Sequence, residues 1–243
     1  TGNSEYDIAK SIHDYVCKNV KYEQVENTYI DQTAYGALMN GKAVCEGQAH
    51  LLALLCRAKE LKTIYVMGTA VQYDGETGDH GWIYLYHTAE QKWYAIDVTW
   101  DNDSSGASNN HTYFMVGSNT KKDGQAFIDT HIPLVISYNG QHTTFQVPVL
   151  STEAYEKFSG KVEYSTRIDT NNNVIVKIKA NRAMNEIDGW ELSSDGLTMQ
   201  KEYTENTKEN IVVKNSRGEE FEVSVNVDNI DKTGPNITVD YST

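Results

Sequence analysis

The chain is 243 residues long and acidic, with 34 Asp and Glu against 21 Lys and Arg and a formal net charge of −13. That balance excludes a nucleic-acid-binding surface, which needs a basic face, and no apolar run approaches the roughly 20 residues of a membrane helix, so no membrane insertion is expected. The three cysteines, Cys17, Cys45 and Cys56, are an odd number without C-x-x-C spacing, so neither a disulfide framework nor a zinc site is expected, and no metal or cofactor.

The length suits two domains, each with its own core, and a change of texture near Ser151 sets them at 1–150 and 151–243. Thr1-Gly2-Asn3-Ser4 reads as the cut end of a longer protein, so export is not legible from it. Ser4 and Asp7 form a weak capping box ahead of Ile8, Ile12, Tyr15 and Val16, which predicts an amphipathic helix of about four turns. Cys17 lies at the edge of that apolar stripe with no His or acid patterned beside it, and reads as structural. Asp31 is the expected N-cap of a short helix over Gln32 to Met39, and Asn40-Gly41 then turns the chain.

The next stretch, Gly41-Lys42-Ala43-Val44-Cys45-Glu46-Gly47-Gln48-Ala49-His50, is small and polar, and gives way to Leu51, Leu52, Leu54, Leu55 and Ala58 at helical spacing. This predicts a loop feeding a buried helix whose first turn carries Cys45, with Cys56 as a small core residue. The position has chemical meaning. Unpaired N–H groups and the positive dipole end of a helix favour a thiolate, and the same groups can hold a developing oxyanion.

Beyond the helix the period becomes strand-like. Strands are expected over Thr63 to Thr69, His80 to Tyr86 and Lys92 to Asp97, the last two joined by the hairpin segment His87 to Gln91. In that register His80 opens one strand and Asp97 closes its antiparallel neighbour, so the two meet. Asp101-Asn102-Asp103-Ser104-Ser105-Gly106 opens like a calcium loop, but Thr112 stands where the bidentate acid belongs, so a solvated turn is the first reading and a calcium site the second. His111 to Val116 is expected to be another strand.

From Ser151 onward helical periodicity gives way to alternating strands at Val162 to Arg167, Val174 to Lys179, Ile211 to Val213 and Phe221 to Val227, spaced as in a small sandwich. Asp169 to Asn173 is read as a hairpin tip. This half holds neither Cys nor His and offers no obvious chemistry. Asp231-Lys232-Thr233-Gly234-Pro235 reads as a linker, and Asn236-Ile237-Thr238-Val239 as the first strand of a further module.

Read as chemistry, Cys45 is a nucleophile, His80 the base that deprotonates it and later the acid, and Asp97 the group that orients the imidazole. The stretches Gly41 to Ala49, Gly78-Asp79-His80-Gly81-Trp82 and Trp93-Tyr94-Ala95-Ile96-Asp97-Val98-Thr99-Trp100-Asp101 resemble the three core motifs of the transglutaminase-like superfamily, the bacterial branch in particular. The resemblance spans roughly residues 5 to 120 and departs mildly at Gly81, where relatives often carry Ala. It implies an α+β fold with a papain-like core, in which N-terminal helices pack on an antiparallel sheet and Cys45, His80 and Asp97 form a catalytic triad. The implied reaction is acyl transfer from a carboxamide or peptide bond through a Cys45 thioester; the motifs do not fix the second oxyanion donor, for which Gln24, Tyr35 and Gln48 are candidates. A lysine amine as acceptor gives a crosslink, and water gives deamidation or proteolysis.

The second half, on Asp188 to Ser193, Lys201 to Asn206 and Asn229 to Pro235, resembles bacterial immunoglobulin-like repeats of surface proteins, with Trp190 as a core residue. This resemblance implies an all-β sandwich, an exported protein of a Gram-positive cell surface or wall, and a protein or peptide substrate, such as a cell-wall or host surface protein. A second reading stays open: an adhesin or wall-binding module on a transglutaminase scaffold, with catalysis secondary. A papain-type protease outside this superfamily would place Asn where Asp97 stands.

Overall fold

The computed structural model of the protein describes residues 4–25, 29–102, 110–138, 141–144 and 147–233. The chain divides into two units, Thr1–Glu156 and Lys157–Thr243. Residues 151–155, assigned to the second half from texture, run along the first unit: the Ser151 amide donates to Trp93 O at 2.8 Å and the Tyr155 amide to Met115 O at 2.9 Å.

The first unit opens with helix α1 (Glu5–Asn19), capped by the Ser4 hydroxyl, which accepts from the Asp7 amide at 3.2 Å. Its buried stripe is Ala9, His13, Val16 and Cys17, so Cys17 does have a histidine beside it, one turn back on the same face. Helix α2 (Ala34–Asn40) is capped by Thr33, not by Asp31. The reason is that the Asp31 carboxylate is engaged elsewhere, accepting the Val25 amide at 2.7 Å, while residues 30–32 make a 3-10 turn. Gly41, at φ 64°, ends α2 in the left-handed conformation that favours glycine.

Helix α3 (Cys45–Ala58) follows at once and buries Leu51, Leu52, Ala53 and Cys56, whereas Leu54 faces solvent. It packs against a four-stranded antiparallel sheet of β1 (Lys62–Val71), β2 (Thr77–His87), β3 (Lys92–Ile96) and, after helices α4 (Val98–Asp101) and α5 (Phe127–Thr130), β4 (His131–Pro133). The strand order is β3-β2-β1-β4. Alternation along β2 sends Ile83 and Leu85 into the core shared with α1 and α3, and Trp82 and Tyr84 into a second cluster with Val66, Ala95, Val116 and Phe127. The expected strand over His111 to Val116 does not form. Met115 takes φ 55°, which breaks extended backbone, and only Val116 bridges Ala95.

In the second unit β5 (Gly160–Tyr164), β6 (Val174–Ala180), β7 (Glu191–Leu192) and β8 (Thr198–Tyr203) form an antiparallel sheet in the order β5-β6-β8-β7, and β9 (Thr207–Lys214) pairs with β10 (Glu220–Val227). Val174, Val176 and Ile178 alternate with exposed residues along β6 and join Trp190, Met199, Val213 and Val225 in one core. Residues 169–173 connect the antiparallel neighbours β5 and β6, as a hairpin tip would. The strand at Thr198–Tyr203, whose pattern mixes Lys, Glu and Gln, was not legible. The possible calcium loop beyond Asn102 and the segment from Gly234 onward lie outside the described residues.

Candidate active site

Cys45 is the first residue of α3, and the preceding Val44 offers no side-chain cap to the helix. The first-turn amides are therefore left to whatever occupies the space in front of the thiol. The start of α3 is held from outside: the Val44 amide donates to Asp31 O at 3.1 Å, and Gly47 lets that loop approach so closely that a Cβ would lie 2.2 Å from the same oxygen. A short parallel pairing of Tyr22 with Ala43 sets the Tyr22 ring beside Cys45.

His80 lies inside β2 rather than at its start. It pairs with Gly68 of β1, while the β2–β3 pairing begins only at Ile83 with Ile96. Asp97 follows β3 and caps α4, its Oδ1 accepting from the Thr99 amide at 2.9 Å and the Trp100 amide at 3.2 Å. Its Oδ2 accepts from His80 Nε2 at 2.6 Å. With Nε2 so engaged, Nδ1 is the atom left to face the Cys45 thiol across the cleft. The three residues picked out by sequence thus converge, all buried, at one end of the sheet. Cys45 and His80 front an open cleft of about 570 Å³ lined also by Tyr22, Tyr73, Asp79 and Trp100, with Asp97 buried behind His80.

The electrostatics follow from the placement. Burial alone would pull His80 down, but the Asp97 charge and hydrogen bond, with the thiol's contribution, push it up to about 10. Burial opposes ionisation of Asp97 in turn, yet the His80 charge and hydrogen bonds from His131 and His80 hold its carboxyl well below the usual carboxylate range. At neutral pH the pair is imidazolium and carboxylate.

His131 was not singled out by sequence. It opens β4 opposite Ala70, and its Nε2 donates to the same Asp97 Oδ2 at 3.0 Å. Burial keeps this second ring neutral, so Nδ1 accepts from the Thr130 hydroxyl at 2.9 Å, and the ring stacks on Phe127 at 3.9 Å. Gly68 makes the approach possible, since a Cβ there would stand 2.1 Å from Ile132 O. Trp100 packs edge-on to His131 at 4.5 Å and tilts over His80 at 5.6 Å.

The candidate oxyanion donors fare differently. Gln48 is buried and spent, its amide donating to Val20 O at 3.2 Å and its carbonyl accepting from Thr99 Oγ1 at 2.8 Å. Gln24 and Tyr35 are exposed and line no part of the cleft. The other two cysteines are inert: burial pushes the Cys17 thiol up to about 12, helped by Asp101, Asp14 and Asp97, and burial alone does the same to Cys56.

Comparison with known proteins agrees with the first unit. The family model described as the transglutaminase-like superfamily matches residues 1–98, the stretch that contains Cys45, His80 and Asp97. Residues 1–98 are thus similar to a transglutaminase-like domain, and the unit that holds them is α+β in architecture. Over 108 residues, 40% of this chain, the sequence is 25% identical to kyphoscoliosis peptidase of Mus musculus, of which the match spans only 16%. Among solved structures, a TGase is similar over 40% of this chain and 27% of its own at 23% identity and a TM-score of 0.35. A protein of Cytophaga hutchinsonii described as a candidate cysteine protease is similar over 44% and 37% at 22% identity and a TM-score of 0.32.

Proposed function

We propose that the first unit is a cysteine-dependent acyl-transfer enzyme acting on a carboxamide or peptide bond, with Cys45 as nucleophile, His80 as base and acid, and Asp97 as the group that orients His80. The observation that carries this reading is the 2.6 Å bond from His80 Nε2 to a buried Asp97, made beside a cysteine at the uncapped start of α3. In the reaction Cys45, its proton already carried by His80, attacks the carbonyl carbon as the thiolate. First-turn amides of α3 hold the oxyanion of the tetrahedral intermediate. The imidazolium protonates the departing amine or ammonia, leaving a thioester. An acceptor amine or water then loses its proton to His80 and attacks, and the thiolate is expelled. Asp97 never takes the proton; it fixes the tautomer and stabilises the cation.

A lysine acceptor makes the enzyme a crosslinker, and water makes it a deamidase or protease. The name of the mouse relative, a peptidase, favours water. The acidic chain and the immunoglobulin-like motifs around Trp190 support an exported cell-surface protein, with the second unit as an immunoglobulin-like spacer or adhesin and a wall or host protein as substrate. The test is iodoacetamide alkylation of Cys45 against pH in wild type, His80→Ala and Cys45→Ala, followed by amine-probe incorporation and peptide hydrolysis. Fast single-site labelling below the ordinary thiol pKa of about 8.5, slowed sharply in His80→Ala, is expected. Slow labelling indifferent to His80 would remove the chemical basis of the enzyme and leave the binding-module reading in its place.

A further inference from the structure

A second cluster of titratable groups lies on the buried face of α1, and none of its members lines the cleft. His13 is fully buried, and both its ring nitrogens face carboxylates: Nε2 is 3.2 Å from Asp101 Oδ2 and Nδ1 is 3.3 Å from Asp14 Oδ1. The same Asp14 oxygen stands 2.6 Å from His111 Nε2. A neutral imidazole has one N–H, and Asp101, buried and held by the Tyr113 amide at 3.0 Å, is the partner that fixes it on Nε2. In that tautomer the Nδ1 lone pair faces Asp14 Oδ1, with the Cys17 thiol 3.9 Å from the same nitrogen.

We propose that His13 Nδ1, Asp14 Oδ1 and His111 Nε2 bind a borderline divalent transition-metal ion of the zinc class, with Asp101 orienting the His13 ring. The donors define the class, since two imidazoles and one carboxylate suit zinc or cobalt and not magnesium or calcium. The His13–Asp101 bond repeats the carboxylate–histidine–metal arrangement that sets the tautomer of ligating imidazoles. Ligand atoms about 2.0–2.1 Å from a tetrahedral ion sit about 3.3 Å apart, which the His13–Asp14 pair already matches, and the His111–Asp14 pair needs to open by about 0.7 Å. The three ligand atoms lie within 4.8 Å of one another. Lys10 binds the other Asp14 oxygen at 2.8 Å and leaves Oδ1 free for the ion. His111 and Asp14 are about a quarter exposed, which gives an entry path and a fourth, solvent-facing position. Such an ion ties α1 to the segment at residue 111. The site depends on no cysteine, so cysteine spacing gave no sign of it.

The test uses the full chain freed of metal with a chelator, then titrated with Zn²⁺ or Co²⁺ and followed by calorimetry, thermal melting and cobalt d–d absorption. Wild type should bind one ion at this site with tetrahedral cobalt bands and, at about 100-fold excess over Kd, melt roughly 5–10 °C higher. His111→Ala and Asp14→Asn, both partly exposed and expected to fold, should each weaken binding at least 10-fold and lose the cobalt bands. His80→Ala should bind as wild type, which separates this site from the second cluster of His80, Asp97 and His131. Absence of binding, binding unchanged in His111→Ala and Asp14→Asn, or binding lost only in His80→Ala would each overturn the proposal.

Discussion

Asp97→Asn separates the two tasks of the triad acid. Asn is as good an N-cap as Asp, so its Oδ1 keeps the Thr99 and Trp100 amides and α4 still starts. The other position becomes an NH₂ group facing His80 Nε2. The imidazole must then carry its proton on Nδ1, toward the thiol, and cannot act as base. Without the carboxylate, burial is the dominant influence on His80 and its pKa falls from about 10 to below 6.5. At 1.36 kcal/mol per pH unit, the rise from 6.5 to about 10, net of burial and supplied by Asp97 first and Cys45 second, is worth roughly 5 kcal/mol to the imidazolium. The assay is an NMR titration of the His80 ring, alongside Cys45 alkylation at pH 6.5. Labelling should fall about 100-fold, the degree to which an ordinary thiol of pKa about 8.5 is protonated there. A His80 that still titrates near its wild-type value in Asp97→Asn, or an unchanged alkylation rate, would refute the reasoning.

The same pair gives stability a defined pH dependence. His80 is raised, so its contribution is complete below about pH 6.5 and lost as pH climbs toward 10; Asp97 is lowered, so its contribution is present above about pH 3.8 and lost on further acidification. Denaturant midpoints should therefore fall from pH 6.5 to 10 in wild type and stay flat over that range in Asp97→Asn. His131→Phe removes one of four donors from a buried carboxylate and should cost about 1.5–3 kcal/mol, read as a lower Tm. Gly47→Ala drives a Cβ to 2.2 Å from Asp31 O, and should cost about 1–3 kcal/mol and slow Cys45 labelling, because that carbonyl anchors the start of α3. Gln48→Leu should lower Tm while leaving Cys45 labelling within a few-fold of wild type, as its amide is tied to Val20 and Thr99; a 100-fold loss would restore it as an oxyanion donor.

What was legible in the sequence depended on the range of the interactions involved. The cysteine helix, the hairpin of β2 and β3 and the meeting of His80 with Asp97 could be read because each rests on local periodicity or on a single turn. The cap of α2 was misread at Asp31 because that carboxylate is claimed by Val25, across a stretch no local rule connects. The expected strand over His111 to Val116 failed for a similar reason. Its amide at Tyr113 is taken by Asp101, and the chain turns at Met115 to deliver His111 to Asp14 instead. His131 was invisible for lack of signal. A three-residue strand ended by a proline shows no alternation, and its value comes only from pairing with Ala70, far back in the chain.

The two oxygens of Asp97 explain why an aspartate fits this position. Oδ1 is fixed by the helix it caps and Oδ2 by two histidines on strands that flank β1, so four donors from three elements determine one carboxylate. A glutamate, one methylene longer, could not hold the cap and meet His80 from the same backbone position. The cap does the positioning before any substrate arrives, which spares the reaction the cost of orienting the acid. Helix α4 then carries that order four residues further, since the Asp101 amide returns to Asp97 O at 3.3 Å and the Asp101 carboxylate holds His13. An ion on His13, Asp14 and His111 would therefore stiffen the frame that aims Asp97 without touching the reacting atoms.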